Sequence, residues 1–266
     1  MMKMKSLGRW VINVLFFILV IATVSCSNPK AEKAENVKSP TLKKSIQKKK
    51  SKEKFVSLTD DNLLKELSEY DKKNKETLVL LKTSKGIMKI KLYENTPLHR
   101  ANFIRLIKNN FYQGTMFYRV VNNFMIQGGD SDDRERQAIK DKMGNYTIPA
   151  ELRKTNIHQK GALSMAREYE NNPELRSVSF EFFFVQGTKY TEGELRGAEQ
   201  QYDLEISDEH KKIYKTQGGC PHLDGKHTVF GQVIEGLNVI DSIAAVNVDE
   251  GDWPIENIFL EFQILE

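Results

Sequence analysis

What the sequence has little of narrows the field first. Only two cysteines, Cys26 and Cys220, occur in 266 residues, too few for a small scaffold stapled by disulfides. Seven prolines and 16 glycines do not suit a fibrous or low-complexity chain. There is no Gly-rich phosphate loop, no dinucleotide fingerprint and no His-Glu-x-x-His helix, which removes the commonest nucleotide and metalloprotease chemistries. Positive charge is also scarce where it would matter for nucleic acid. Residues 1–25 hold three positive charges and no negative one, and residues 26–56 hold ten lysines against three glutamates. With a net charge of +4 overall, everything from Ser57 onward carries a net of minus six. A phosphate-binding surface needs its positive charge on the folded part, so no nucleic-acid partner is expected. The 39% hydrophobic and 9% aromatic residues suffice for one domain of about 150 to 200 residues with extensions.

The first 25 residues read as a signal peptide: a positive start, then an apolar run from Val11 to Val24 interrupted by Asn13. That run reaches roughly 21 Å as a helix, short of the roughly 30 Å hydrocarbon core. It ends in Ala22-Thr23-Val24-Ser25-Cys26, which resembles the lipobox of bacterial lipoproteins, with Thr23 where leucine is usual. The resemblance implies lipidation of Cys26, a membrane partner through that lipid, and a place in the cell envelope of a bacterium with the domain facing the periplasm. An uncleaved signal anchor and an ordinary cleaved signal are the alternatives. Lipidation would consume Cys26 and leave Cys220 without an intramolecular partner. Residues 26–56, lysine-rich and nearly free of large apolar side chains, are expected to form a disordered tether. Residues 57–76 are expected as a short helical lead-in, with Leu63, Leu64, Leu67 and Tyr70 at helical spacing and Asp60 or Asp61 as the cap.

From Thr77 on, strand-like runs dominate: Thr77 to Thr83, Ile87 to Tyr93, Met116 to Val121, Phe124 to Gln127, Ala162 to Ala166, Phe180 to Gln186, Val229 to Ile234 and Ile258 to Leu265. One helix starts at Thr96-Pro97 and carries the stripe Leu98, Ala101, Ile104 and Ile107; a second fits Leu237 to Ala245. Many short strands with two core helices imply a barrel. Residues 188–218 differ, being charged and helix-prone, with a start at Ser207-Asp208-Glu209 and a stop at Gly218-Gly219; they read as a helical insertion.

The stretch Phe117-Tyr118-Arg119-Val120-Val121-Asn122-Asn123-Phe124-Met125-Ile126-Gln127-Gly128-Gly129-Asp130 sets one guanidinium beside a Phe and a Met and ends in what reads as a tight Gly-Gly turn. It closely resembles the cyclophilin signature, with fixed residues recurring across fourteen positions. Gly161-Ala162-Leu163-Ser164-Met165-Ala166, Phe182-Phe183-Phe184-Val185 and Leu223-Asp224-Gly225-Lys226-His227-Thr228-Val229-Phe230-Gly231 resemble further motifs of that family, in its order. The resemblance spans about 190 residues, from Thr77 to the end. It implies a mainly β fold, a closed eight-stranded antiparallel barrel capped by two α-helices. It also implies peptidyl-prolyl cis-trans isomerisation without a cofactor, on proline-containing peptides and unfolded proteins, by a monomer.

Residue by residue, Arg119 matches the family's catalytic arginine and Gln127 the glutamine that orients substrate and arginine. Phe124, Met125, Phe183 and Leu223 match the pocket for the proline ring, and Tyr118, Ala166 and His227 match further groove positions. Several positions depart from the pattern: Arg167 stands for an asparagine, Glu181 for a glutamine, and His222 for the tryptophan of eukaryotic members. Ser179-Phe180 replaces a small Gly-Ser pair, which would set a bulky ring near the groove wall. Cys220, His222 and His227 could be drawn as a metal site, but their spacing fits no standard zinc pattern, so none is expected. Two rivals to the enzyme stand: a proline-binding chaperone module without turnover, and a scaffold whose insertion docks a membrane partner.

Overall fold

The computed structural model describes residues 55–130 and 134–265. The signal segment, Cys26 and the tether up to residue 54 lie outside the described residues. In chain order the elements begin with β1 (Leu58–Thr59), α1 (Leu63–Lys73), β2 (Leu78–Thr83), β3 (Gly86–Leu92), α2 (Pro97–Lys108), β4 (Met116–Val121) and β5 (Met125–Asp130). There follow α3 (Arg134–Met143), β6 (Gly144–Asn145), β7 (Thr147–Ile148), β8 (Ala162–Met165), β9 (Ser177–Val178) and β10 (Phe182–Val185). Last come α4 (Glu192–Tyr202), α5 (Asp208–Thr216), a 3-10 turn at Pro221–Leu223, β11 (Val229–Glu235), α6 (Leu237–Ala244), β12 (Ile258–Phe259) and β13 (Glu261–Leu265).

Nine strands form one antiparallel sheet in the order β12-β4-β5-β10-β8-β11-β3-β2-β13. Its two ends belong to one stretch of chain, for β12 pairs with β4 and β13 with β2, so the sheet nearly closes into a barrel. Nine strands replace the expected eight because this stretch breaks at Leu260. There the backbone N–H makes the last bond to the β4 side, donating to Thr115 O at 2.9 Å, the side chain turns into the core, and from Glu261 the chain pairs with β2 instead.

Period-two burial explains the core. In β3, Met88, Ile90 and Leu92 are buried while Lys89 and Lys91 face outward. Phe103 of α2 lies 5.2–5.6 Å, centroid to centroid, from Tyr112, Phe182, Phe230 and Phe262. Tilted and edge-to-face contacts of this kind each add about 0.5–1.5 kcal/mol beyond buried area.

The helices correct several expectations. Asn62, not Asp60 or Asp61, occupies the N-cap of α1; Asp60 instead accepts from Thr147 N and Arg176. Leu63 and Leu67 are fully buried, whereas Leu64 is 55% exposed, so the apolar stripe is narrower than its leucines suggest. Thr96 holds the N-cap position of α2 without a side-chain cap bond; the Glu151 carboxylate, far along the chain, accepts from Leu98 N and His99 N. Of the residues counted with the tether, Phe55 packs on the domain and Val56 meets it through its backbone carbonyl. The Phe55 ring lies 5.0 Å from the Arg105 guanidinium, and Arg105 donates to Val56 O at 2.6 Å. Gly128-Gly129 is not a turn: both continue β5, and Gly129, at φ 106°, leaves the room that a Cβ would take from Phe180 O.

The insertion folds as two helices. Thr191 and Glu194 form a reciprocal capping box on α4, and Ser207 caps α5. Leu195, Ile206 and Tyr214 bury against Ile157 in a small core of their own. Among the described residues no helix is long and apolar enough to cross a membrane.

Candidate active site

Three adjacent strands set one face of the site. Arg119 lies opposite Gln127 in the β4–β5 register, and Gln127 lies opposite Phe183 in β5–β10. Because strand side chains alternate, Phe182 and Phe184 enter the barrel core while Phe183 points the other way. There it joins Met125, Val185, Leu223 and the half-buried Phe124 in a separate apolar cluster. This cluster floors a cleft of about 250 Å³. Arg119, Phe124, Met125, Gln127, Ala166, Arg167, Glu181, Phe183, Leu223 and His227 all line it.

The polar wall is ordered by what each group can donate. Glu181 can only accept, so the Tyr118 hydroxyl donates to its Oε2 at 2.6 Å. The Tyr118 oxygen then accepts from Gln127 Nε2, which also lies 3.5 Å from Glu181 Oε2. With its amide nitrogen held this way, Gln127 keeps Oε1 as an acceptor for the cleft. Burial, and then the Glu181 carboxylate, push the Tyr118 phenol far above its ordinary pKa, so it remains a donor. Arg119 is 42% exposed, and its Nε donates to Asp252 Oδ2 at 3.3 Å. The pairing uses the Nε edge and leaves the Nη groups as donors.

His227, 7% exposed, closes the floor. Its Nδ1 faces Met165 O at 3.2 Å and its Nε2 faces the Tyr169 hydroxyl at 2.9 Å, an arrangement a neutral ring satisfies with one N–H. Burial first, and then the neighbouring His158, bring its pKa down to about 4. Arg167 spends Nε on Lys226 O and one Nη on Glu168 O, and lies 4.3 Å from the Tyr169 ring centroid, so it braces a lip of the cleft.

The matched family model is that of the cyclophilin type peptidyl-prolyl cis-trans isomerases, over residues 78–261. The chain belongs to this family. Two staphylococcal relatives named for peptidyl-prolyl cis-trans isomerase activity are similar to this cyclophilin. One, from Staphylococcus haemolyticus, is 35% identical over 187 residues, covering 70% of this chain and 89% of the relative. The other, from Staphylococcus aureus strain USA300, is 34% identical over 202 residues, covering 73% and 97%. A cyclophilin-type isomerase of Cryptosporidium parvum shares the fold, with a TM-score of 0.52 at 20% identity, over 72% of this chain and 98% of that one. The same protein in the presence of the dipeptide Ala-Pro gives a TM-score of 0.51. Family and relatives make this cyclophilin an isomerase.

Two residues read as site residues stand just behind the cleft lining. Tyr118 reaches it through Glu181 and Gln127, and His222 stacks on Phe124 at 5.6 Å. The far side of His222 meets Tyr202 of the insertion, also at 5.6 Å, and burial lowers the pKa of the imidazole. Phe180 does not reach the groove wall; its ring stacks on Phe111 at 4.7 Å, on the core side. Cys220 is buried, its thiol pushed up to about 12 by burial, with Sγ toward Phe124 O. Among the described residues no cluster of His, Cys, Asp and Glu gathers in a way that could hold a metal ion.

The sequence reading missed Asp252, Tyr169, Glu168 and Val178. Asp252 sits 133 positions from Arg119, and nothing near it in sequence marks the pairing. Tyr169 did carry a signal, a lone aromatic in the charged loop Glu168-Tyr169-Glu170.

Proposed function

We propose that this cyclophilin turns Xaa-Pro bonds of exported, unfolded or partly folded proteins outside the cytoplasm, with Arg119 stabilising the twisted amide. The barrier of about 18–20 kcal/mol arises from the partial double bond of the peptide unit. Twisting that bond makes the prolyl nitrogen pyramidal and gives it a lone pair. A permanently charged, planar guanidinium over that nitrogen favours the twisted state, and no covalent step is needed. The observation that carries this reading is Arg119 at the edge of a cleft of about 250 Å³ whose floor is the apolar group Phe124, Met125, Phe183 and Leu223. The Ala-Pro dipeptide in the Cryptosporidium crystal is the ligand class this reading takes. Gln127 Oε1 accepts a substrate N–H, and Asp252 fixes the rotamer of Arg119.

Arg119→Ala should lower kcat/KM by roughly 10² to 10³, about 2.7–4 kcal/mol, with circular dichroism unchanged. Activity within a few-fold of the unmodified chain would overturn the role given to Arg119, and no turnover even in the unmodified chain would leave a proline-binding module rather than an enzyme.

Location rests on Cys26. Lipidation there would supply two or three acyl chains, enough for stable anchoring where one alone is marginal. A coil of about thirty residues then spans roughly 30 Å, room for the barrel to reach clients away from the bilayer. Mass spectrometry of the mature protein should find residue 26 acylated at the new N-terminus; an unmodified Cys26 would leave a signal anchor or a secreted form.

A further inference from the structure

A second hollow, about 570 Å³, adjoins the proline cleft. Leu152 and Ile157 form one side of it, and Leu204 and Ile206, from the link between α4 and α5, form the other. Gly225 and His227 make its near wall, and His227 lines the proline cleft as well. The surface is built rather than incidental. Asp203 adopts a left-handed conformation at φ 53°, and Glu199 holds the link from both ends, its carbonyl accepting from Leu204 N at 3.0 Å and its Oε1 from Ile206 N at 3.0 Å. The insertion is in turn clamped to the cleft. Tyr202 packs on His222 and lies 4.9 Å from Lys226 Nζ, and Tyr214 donates to Asp224 Oδ2 at 2.5 Å.

We propose that this hollow is a second recognition pocket of the isomerase, which takes a large apolar side chain of the polypeptide substrate two residues from the proline. The occupant follows from continuity with the cleft. In an extended chain, residues i and i+2 project on the same side, roughly 6.6 Å apart. One imidazole, that of His227, stands between the two cavities. The lining carries both signs of charge, with Arg153 and Lys154 against Asp203, Glu205 and Asp224, so charge offers little discrimination and the four aliphatic side chains decide. Such a pocket gives a chemical reason for acting on unfolded clients, because large apolar side chains near a proline are accessible only before they enter a core. The inference rests on the isomerase reading of the neighbouring cleft.

The test uses the full chain in detergent and four soluble peptides with one central Xaa-Pro bond. They carry Leu or Gly at the second position before or after the proline. Turnover is read by NMR exchange of the peptide, and contact by saturation transfer to the leucine methyls. At one of the two positions leucine should raise kcat/KM about ten-fold over glycine, as expected for one aliphatic side chain entering a hollow. Leu204→Ser should cut that advantage below about two-fold and weaken saturation of the methyls, and Leu152→Ser serves the same purpose if the first variant does not fold. Turnover with no leucine advantage at either position, or an advantage that both variants keep, overturns the pocket. Methyl saturation that Leu204→Ser abolishes, in a chain that turns over none of the four peptides, upholds the pocket and overturns the isomerase reading instead.

Discussion

Two buried arrays in this molecule share one chemistry and differ in what they serve. In the first, His99 Nδ1 lies 2.7 Å from Glu151 Oε2 and Nε2 lies 3.0 Å from Ser177 Oγ. In the second, His158 Nδ1 lies 2.9 Å from Asp224 Oδ1 and Nε2 lies 3.1 Å from Ser164 Oγ. Serine, histidine and carboxylate in line suggest a hydrolytic triad, yet both serines are buried and the Ser164 hydroxyl also donates to Thr228 O at 3.0 Å. Thr228 touches both arrays, since its Oγ1 accepts from Glu151 N. They part at the carboxylate. Glu151 accepts two N–H groups at the start of α2, so the first array joins a helix to the barrel. Asp224 reaches Tyr214 of the insertion, and His158 stacks on Phe183 at 6.1 Å, so the second array is a strut between insertion and cleft. The same three residue types thus join a helix to the barrel in one place and brace the cleft in the other, and their surroundings decide which.

The largest effect should come from breaking the first array. Glu151→Ala leaves a buried imidazole and two helix N–H groups without their acceptor, a loss of about 3–5 kcal/mol. In calorimetry the midpoint should fall by roughly 10 °C, while kcat/KM per folded molecule stays unchanged. A fall of only a degree or two would mean that α2 is held by its apolar face alone.

Acid should weaken the cleft side next. His227 keeps a folded pKa of about 4 against 6.5 unfolded, so the stability it carries is fully present above pH 6.5 and is lost as pH falls through 4. The loss amounts to about 3 kcal/mol at most, caused by burial and by His158 beside it. Denaturant titrations at pH 7 and 4.5 should show a steeper decline for the unmodified chain than for His227→Gln. Equal slopes would place the acid sensitivity elsewhere.

How much of this was legible in the sequence follows from the range of each interaction. The cleft residues fall on short segments whose alternation shows in the chain, as Phe182-Phe183-Phe184 does: two rings inward and one toward the cleft. The insertion helices were legible from Ser207 and Gly218-Gly219, because caps are local chemistry. Long-range partners left no trace. Glu151 takes over the cap that Thr96 promises, and Asp252 takes the Nε of Arg119. Phe180 precedes β10, where period two no longer fixes its direction, and it turned to Phe111. The helix Arg134–Met143 has good helix formers but, apart from Ile139 and Met143, no apolar stripe, so periodicity passed over it.

The smallest expected effect separates the two arrays most sharply. Tyr214→Phe removes one hydroxyl from the strut and leaves the ring, itself fully buried, in place. Asp224 is 19% exposed at its side chain, so water can replace the lost donor, and the stability cost should be only about 0.5–1.5 kcal/mol. That corresponds to a midpoint lower by roughly 2–4 °C. Unlike Glu151→Ala, this variant should also lower kcat/KM about two- to three-fold. Asp224 orients His158 and its ring lies against Phe183, so a looser carboxylate loosens the cleft floor. Calorimetry and peptide turnover on the same preparation decide it. A lower midpoint with kcat/KM unchanged would mean that Asp224 passes nothing to the cleft, and that both arrays are joints of the framework.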